Sequence, residues 1–280
     1  MTSETRRHSF SLVLAVALLA AAPAGDSQGA QTERYHEKID GTLVSFEMRL
    51  VPGGAATFTD ESGERTVDVA TFYIGVTEVT WDMYDVFALQ LDRGADRGAA
   101  DAIARPSHPY GAPDYGWGHA GFPAISLTRQ AAESFCAWLS SKTGKPYRLP
   151  TEAEWARAAG LATGAQPLAA ARRDALVWHR GNSSARTHAV GTKTPDALGL
   201  FDLFGNAGEW VLPAGGALVL RGGSFRDAAE SIGTSSRAVQ DARWNETDPQ
   251  LPKSRWWLSD APFAGFRLAR VPTDARSVEN

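Results

Sequence analysis

From residue 199 to 270 the chain alternates short apolar segments with glycine and proline turns, and no other feature constrains the fold as much. Segments of a few residues can form strands but not long amphipathic helices. The same grain runs through most of the 280 residues: 27 are Gly and 15 are Pro, so regular elements are short and connections long. Nine Trp accompany them, and a chain with so little periodicity builds its core from aromatic clusters. The reading is an α+β fold, loop-rich, with little regular secondary structure. At 43% hydrophobic and 21% charged residues, the length suits one large domain or two small ones. No repeat and no internal boundary favours a second domain.

Three bulk features narrow the function. The net charge of −4, without a basic stripe, points away from a nucleic-acid partner. Arg6 and Arg7 precede the apolar run SLVLAVALLAAA, which has the length of a signal-peptide core and is too short for a comfortable membrane span. Residues 1–30 therefore read as a signal peptide, with cleavage near Ala24 or Ala30, of Sec type in preference to twin-Arg. The mature protein is expected to be exported to the periplasm or outside, with no transmembrane span, no lipid anchor and a monomeric state. Cys136 is the only cysteine, so an internal disulfide and two-cysteine redox chemistry are excluded. It shares a helix face with Phe135 and Leu139 and reads as a small buried apolar residue.

Residues 43–50, LVSFEMRL, alternate as a strand, and Pro52-Gly53-Gly54 turn it. Residues 66–76 form a second strand region. Thr80 opens a helix over WDMYDVFALQL, and residues 93–120 form a long surface loop carrying Tyr110, Tyr115, Trp117 and His119. Thr128 is the expected N-cap of a helix over 129–141, stopped by Gly144. Thr151 and Glu154 form a capping box for a helix ending at Gly160. Residues 161–196 read as irregular, and the tail 272–280 as frayed.

The stretch GLFDLFGNAGEWV at 199–211 puts Asp202 and Glu209 seven residues apart with glycines between them. A tight turn can gather both carboxylates and several carbonyls around one centre, as a hard cation such as Ca²⁺ requires. The absence of His and Cys disfavours zinc. The same residues could instead cap a hydrogen-bonded turn without an ion, and a catalytic carboxylate pair is a third use. His108, His119, His179 and His188 are scattered without ligand spacing.

Seven segments in order carry a family resemblance: FEMRLVPGG (46–54), FYIGVTEVTW (72–81), FCAWLS (135–140), YRLPTEAEWARAA (147–159), GLFDLFGNAGEWV, LRGGSF (220–225) and GFRLAR (265–270). Over residues 43–271 the chain resembles the sulfatase-modifying-factor family, whose founding activity is the formylglycine-generating enzyme. The resemblance implies a single domain related to the C-type lectin fold. It implies a structural Ca²⁺ held by the Asp202 and Glu209 carboxylates and the Gly205 and Ala207 carbonyls. The family often carries an aromatic residue where Gly208 stands, so packing under this loop differs here. It also implies oxidation of a substrate cysteine by O₂, using two copper-binding cysteines ahead of the final GFR. The matching region, 231–244, reads SIGTSSRAVQDARW and contains no cysteine. Ser235 and Ser236 stand near those places, and serine binds Cu(I) poorly. No copper and no formylglycine generation are expected.

Two readings remain. One is an exported, calcium-stabilised binding or accessory protein. The other is an enzyme using a non-cysteine chemistry on a peptide-like substrate. Formylglycine generation with Cys136 recruited is a distant third. Trp117, His119, Ser235, Arg237, Trp256 and Trp257 are the expected lining of a groove for a peptide or glycan-like ligand, with Trp244 and Arg255 nearby. The competing use of these aromatics is to fill the core.

Overall fold

The computed structural model describes residues 33–93, 105–109, 111–164, 168, 170–213 and 215–272. The signal-peptide expectation and Tyr110 lie outside the described residues, as does nearly all of the 272–280 tail.

Strand β1 (Arg34–Lys38) pairs antiparallel with β2 (Ser45–Val51), where Phe46 and Met48 face one core cluster and Val51 another. The turn at Pro52-Gly53 leads into a hairpin that the sequence pattern did not announce: β3 (Gly54–Asp60) against β4 (Gly63–Val69). In β3 only Ala56 and Phe58 are buried, and so small an inward face gives a weak alternation signal. The strand region expected over 66–76 is thereby two strands, β4 and the fully buried β5 (Phe72–Gly75).

The helices follow their caps. Helix α1 (Trp81–Ala88) starts after Thr80, whose side chain makes no cap bond. Helix α2 (Arg129–Thr143) has the Thr128 hydroxyl accepting from the Ala131 amide at 3.1 Å and a left-handed Gly144 at its end. After the short β6 (Tyr147–Arg148), helix α3 (Glu152–Thr163) carries the expected capping box: Glu154 N–H donates to Thr151 Oγ1 at 3.1 Å and Thr151 N–H to Glu154 Oε2 at 2.8 Å. It runs past Gly160 to a left-handed Gly164. A helix-interior glycine costs only about 1 kcal/mol, which the burial of Trp155 and the Ala158–Ala159 face outweighs. Within the stretch read as irregular lies α4 (Ala170–Leu176), too short to show a period.

The remaining strands are β7 (Gly208–Val211), β8 (Val219–Arg221), β9 (Arg237–Val239), β10 (Ala264–Gly265) and β11 (Ala269–Arg270). They complete one sheet of order β1-β2-β5-β11-β6 and another of order β10-β7-β8-β9, in which β10 runs parallel to β7. The core is aromatic, as the composition required. Tyr84, Phe135 and Phe266 meet at centroid distances of 5.8 and 5.6 Å, and Trp155 meets Phe204 edge-on. The fold is α+β and loop-rich. Among the described residues, no helix is long and apolar enough to cross a membrane.

Candidate functional site

The 199–211 loop buries its carboxylates. Asp202 and Asn206 have positive φ, and Gly205 sits where a Cβ would collide with the Trp178 carbonyl. Leu203 and Phe204 anchor this turn in the core, and Glu209 follows on β7 with no exposed surface. Two residues that the loop reading did not include join the cluster. Glu78 accepts from Asn206 Nδ2 at 3.0 Å and from the Ala207 amide at 2.9 Å. Arg267 donates through Nε to both Glu209 oxygens at 2.7 and 2.8 Å, and its Nη2 lies 2.6 Å from Oε1. Arg267 also donates to the Gly75 and Phe201 carbonyls at 2.9 and 3.0 Å. The available signal was a charge embedded in core residues: Glu78 lies next to Val79, and Arg267 between Phe266 and Leu268.

Three buried carboxylates thus face one guanidinium. Burial, then repulsion by Asp202 and Glu209, raises Glu78 well above the usual carboxylate range. Burial lifts Asp202 to about 6, against the pull of the Gly191 amide and Arg267. Burial opposes the Arg267 charge, but contact with Glu209 wins and holds it protonated.

Of the residues expected to ligate a calcium ion, Asp202, Gly205, Ala207 and Glu209, the last is engaged by donors of the protein itself. An ionised carboxylate offers about four acceptor sites. Three contacts from Arg267, two of them from its single Nε–H, together with Trp155 Nε1 at 2.9 Å, engage both Glu209 oxygens. Asp202 retains one unpartnered oxygen, Oδ1. Among the described residues no group of three His, Cys, Asp or Glu side chains converges as a metal site. The positive charge beside Glu209 is supplied by the protein.

The expected groove residues separate into four places. His119 stacks on Trp81 at 5.1 Å and is gripped by Asp85 (Nε2, 2.8 Å) and Asp114 (Nδ1, 2.9 Å). Burial works against its protonation, but these two carboxylates raise its pKa overall. Trp117 stacks on Tyr115 at 5.0 Å, and Trp257 stacks on the same Trp81 as His119. Trp257 and Tyr115 wall a cavity of about 370 Å³ between the 109–115 loop and the 245–259 segment, with Ser126 buried in it. Trp256 turns inward against Phe87 at 6.5 Å and belongs to the core. Ser235 lines a different cavity between β3 and α3. Arg237, on β9, pairs with Glu152 at 2.9 Å and Glu61 at 3.4 Å and borders a cavity of about 180 Å³. The 231–244 segment and the 108–119 loop therefore do not share one cleft among these cavities.

Cys136 lies in the core on α2, 3% exposed, and burial pushes its thiol far above the usual range. His179 is bound to Asp174, and His188 stacks on Trp178 at 3.7 Å.

An α+β domain with a buried Glu–Arg lock, and without a reactive thiol in its cavities, defines the class. Residues 40–271 match the sulfatase-modifying factor enzyme 1-like domain, and the chain belongs to this family. It lacks the family's catalytic cysteine pair, since it has one cysteine in all. Three solved structures share the fold. Treponema denticola variable protein 1 is 22% identical, covering 85% of this chain and 99% of that one at a TM-score of 0.62. PvdO from Pseudomonas aeruginosa is 24% identical, covering 84% and 100% at 0.59. CarF is 21% identical, covering 81% and 99% at 0.52. No curated protein matches.

Proposed function

We propose that this chain is a binding or accessory member of its family, without formylglycine-generating oxidase activity, and that it takes a peptide or glycan-like ligand in the 370 Å³ cavity beside Tyr115 and Trp257. The observation that carries the reading is the state of its one thiol. Cys136 is enclosed in the hydrophobic core, its burial disfavours the thiolate, and it lines none of the cavities described above. Copper-thiolate oxidation needs accessible, ionisable sulfur.

The cavity is also poorly equipped for acid–base chemistry. Among the described residues, its titratable lining groups are Tyr115 and Asp248. Burial raises Asp248, but the Ser254 and Gln250 amides and Asn245 outweigh it and hold its pKa below the usual range, which makes a weak base. An aromatic wall with satisfied polar groups suits recognition.

The test is to incubate the full chain with a sulfatase-motif cysteine peptide, copper and O₂. No aldehyde is expected, and aldehyde formation would overturn the proposal. Retention of peptides or oligosaccharides by the wild type but not by Tyr115→Ala supports the cavity as the binding place.

A further inference from the structure

The 180 Å³ cavity beside Gly208 is lined by a cation, Arg226, that no carboxylate grips directly among the described residues. Arg226 lies flat on Phe263, its guanidinium carbon 3.4 Å from the ring centre. Among the described residues that guanidinium makes no hydrogen bond and no ion pair, and the residue is exposed. Stacking fixes the plane of the fork while leaving its N–H edges open, so little side-chain entropy remains to be lost on binding.

The neighbouring groups are already committed. Arg237 is offset by Glu152 and Glu61. The Ser224 hydroxyl donates to Asp227 at 2.8 Å, and the Ser231 and Ser236 hydroxyls donate to the Ala228 and Ser231 carbonyls. The nearby acids are Asp227, which lines the cavity, and Asp241, which is paired with Arg243 at 2.7 Å. One cation with open N–H edges, beside two carboxylates that are bonded elsewhere, suits a monoanion and disfavours a dianion. The remaining wall is apolar: Leu220, Ala238 and Phe263. Gly208 contributes no side chain, and any larger residue there would press on Leu220.

We propose that this cavity binds a monocarboxylate carried on a small apolar group, with Arg226 as its two-pronged donor. The site goes beyond the binding reading above and does not depend on it, since such a pocket could equally hold a substrate. A peptide C-terminus and a free short-chain acid present the same chemistry.

Calorimetry on the full chain tests this with four probes: N-acetylalanylalanine as the acid, the same dipeptide as its amide, propionate and inorganic phosphate. The acid is expected to bind at least about tenfold more tightly than the amide, and Arg226→Gln to weaken the acid by a similar factor at an unchanged melting temperature. Arg226→Lys, which keeps the charge without the fork, should retain part of the affinity. Dipeptide binding tighter than propionate would identify a peptide terminus, and equal binding a free acid. Both support the shared chemistry. Equal affinity for acid and amide, an Arg226→Gln variant that binds normally, or phosphate binding more tightly than the acid would each sink the proposal. The acid–amide comparison on the wild type decides it even if a variant does not fold. Aldehyde assays do not enter, so failure here is distinguishable from failure of the functional reading.

Discussion

Arg267 and Glu209 form an ion pair at 2.6 Å in which neither side chain has any exposed surface. Breaking such a pair leaves a buried charge uncompensated. Arg267→Met is expected to cost about 3–5 kcal/mol in urea denaturation, because Glu78 and Asp202 lose this buried counter-charge as well. The double variant Glu209→Leu/Arg267→Met should recover most of the loss. A single variant as stable as wild type would show that the pair does not hold the fold.

Because this guanidinium already stands against both oxygens of Glu209, stability should be indifferent to divalent ions. Thermal melts with EGTA and with millimolar Ca²⁺ are expected to superimpose. A higher melting temperature in calcium would mean that Asp202 and Glu209 reorganise around an ion.

His119 gives a pH dependence of known sign. Its folded pKa lies above the ordinary 6.5: burial opposes the charge, but Asp85 and Asp114 outweigh it. The stabilisation is therefore complete below the unfolded value and disappears as pH rises through the folded one. Proton NMR should place the imidazole titration above 6.5, and His119→Gln should flatten the loss of stability between neutral and mildly alkaline pH. A His119 titration at or below the ordinary value counts against the bridge.

Two glycines should respond in opposite directions. Gly160 lies inside α3 with nothing within 4 Å of an added Cβ, so Gly160→Ala is expected to stabilise by about 0.5–1 kcal/mol. Gly205 has φ +81° and its Cβ would strike the Trp178 backbone, so Gly205→Ala should destabilise strongly. Thermal melts of the two variants moving the same way would contradict the described loop.

What was legible in the sequence was local. Thr128, Thr151 and Glu154 announce their helices because a cap and its amide partners are three residues apart. Asp202 and Glu209 were found because glycines separate them in one loop. Their partners were not, since Glu78 and Arg267 are 128 and 58 residues from Asn206 and Glu209, and no local pattern says which distant charge takes a lone pair. Trp256 and Trp257 looked like one feature. The backbone bends at Trp256 around the Ser254 hydroxyl, and the two side chains diverge, Trp256 packing against Phe87 and Trp257 reaching a cavity. The hairpin of β3 and β4 escaped because its inward face is too small to register.

The order in which the sheets are completed has a consequence for biogenesis. Strand β11 sits between β5 and β6, β10 closes against β7, and Arg267 lies between them, so the final stretch 264–270 is shared by both sheets and the core. A nascent chain that has not yet delivered residue 264 lacks an interior strand of one sheet, β11, and an edge of the other, β10. The first sheet therefore cannot close until the last strand of the domain has emerged.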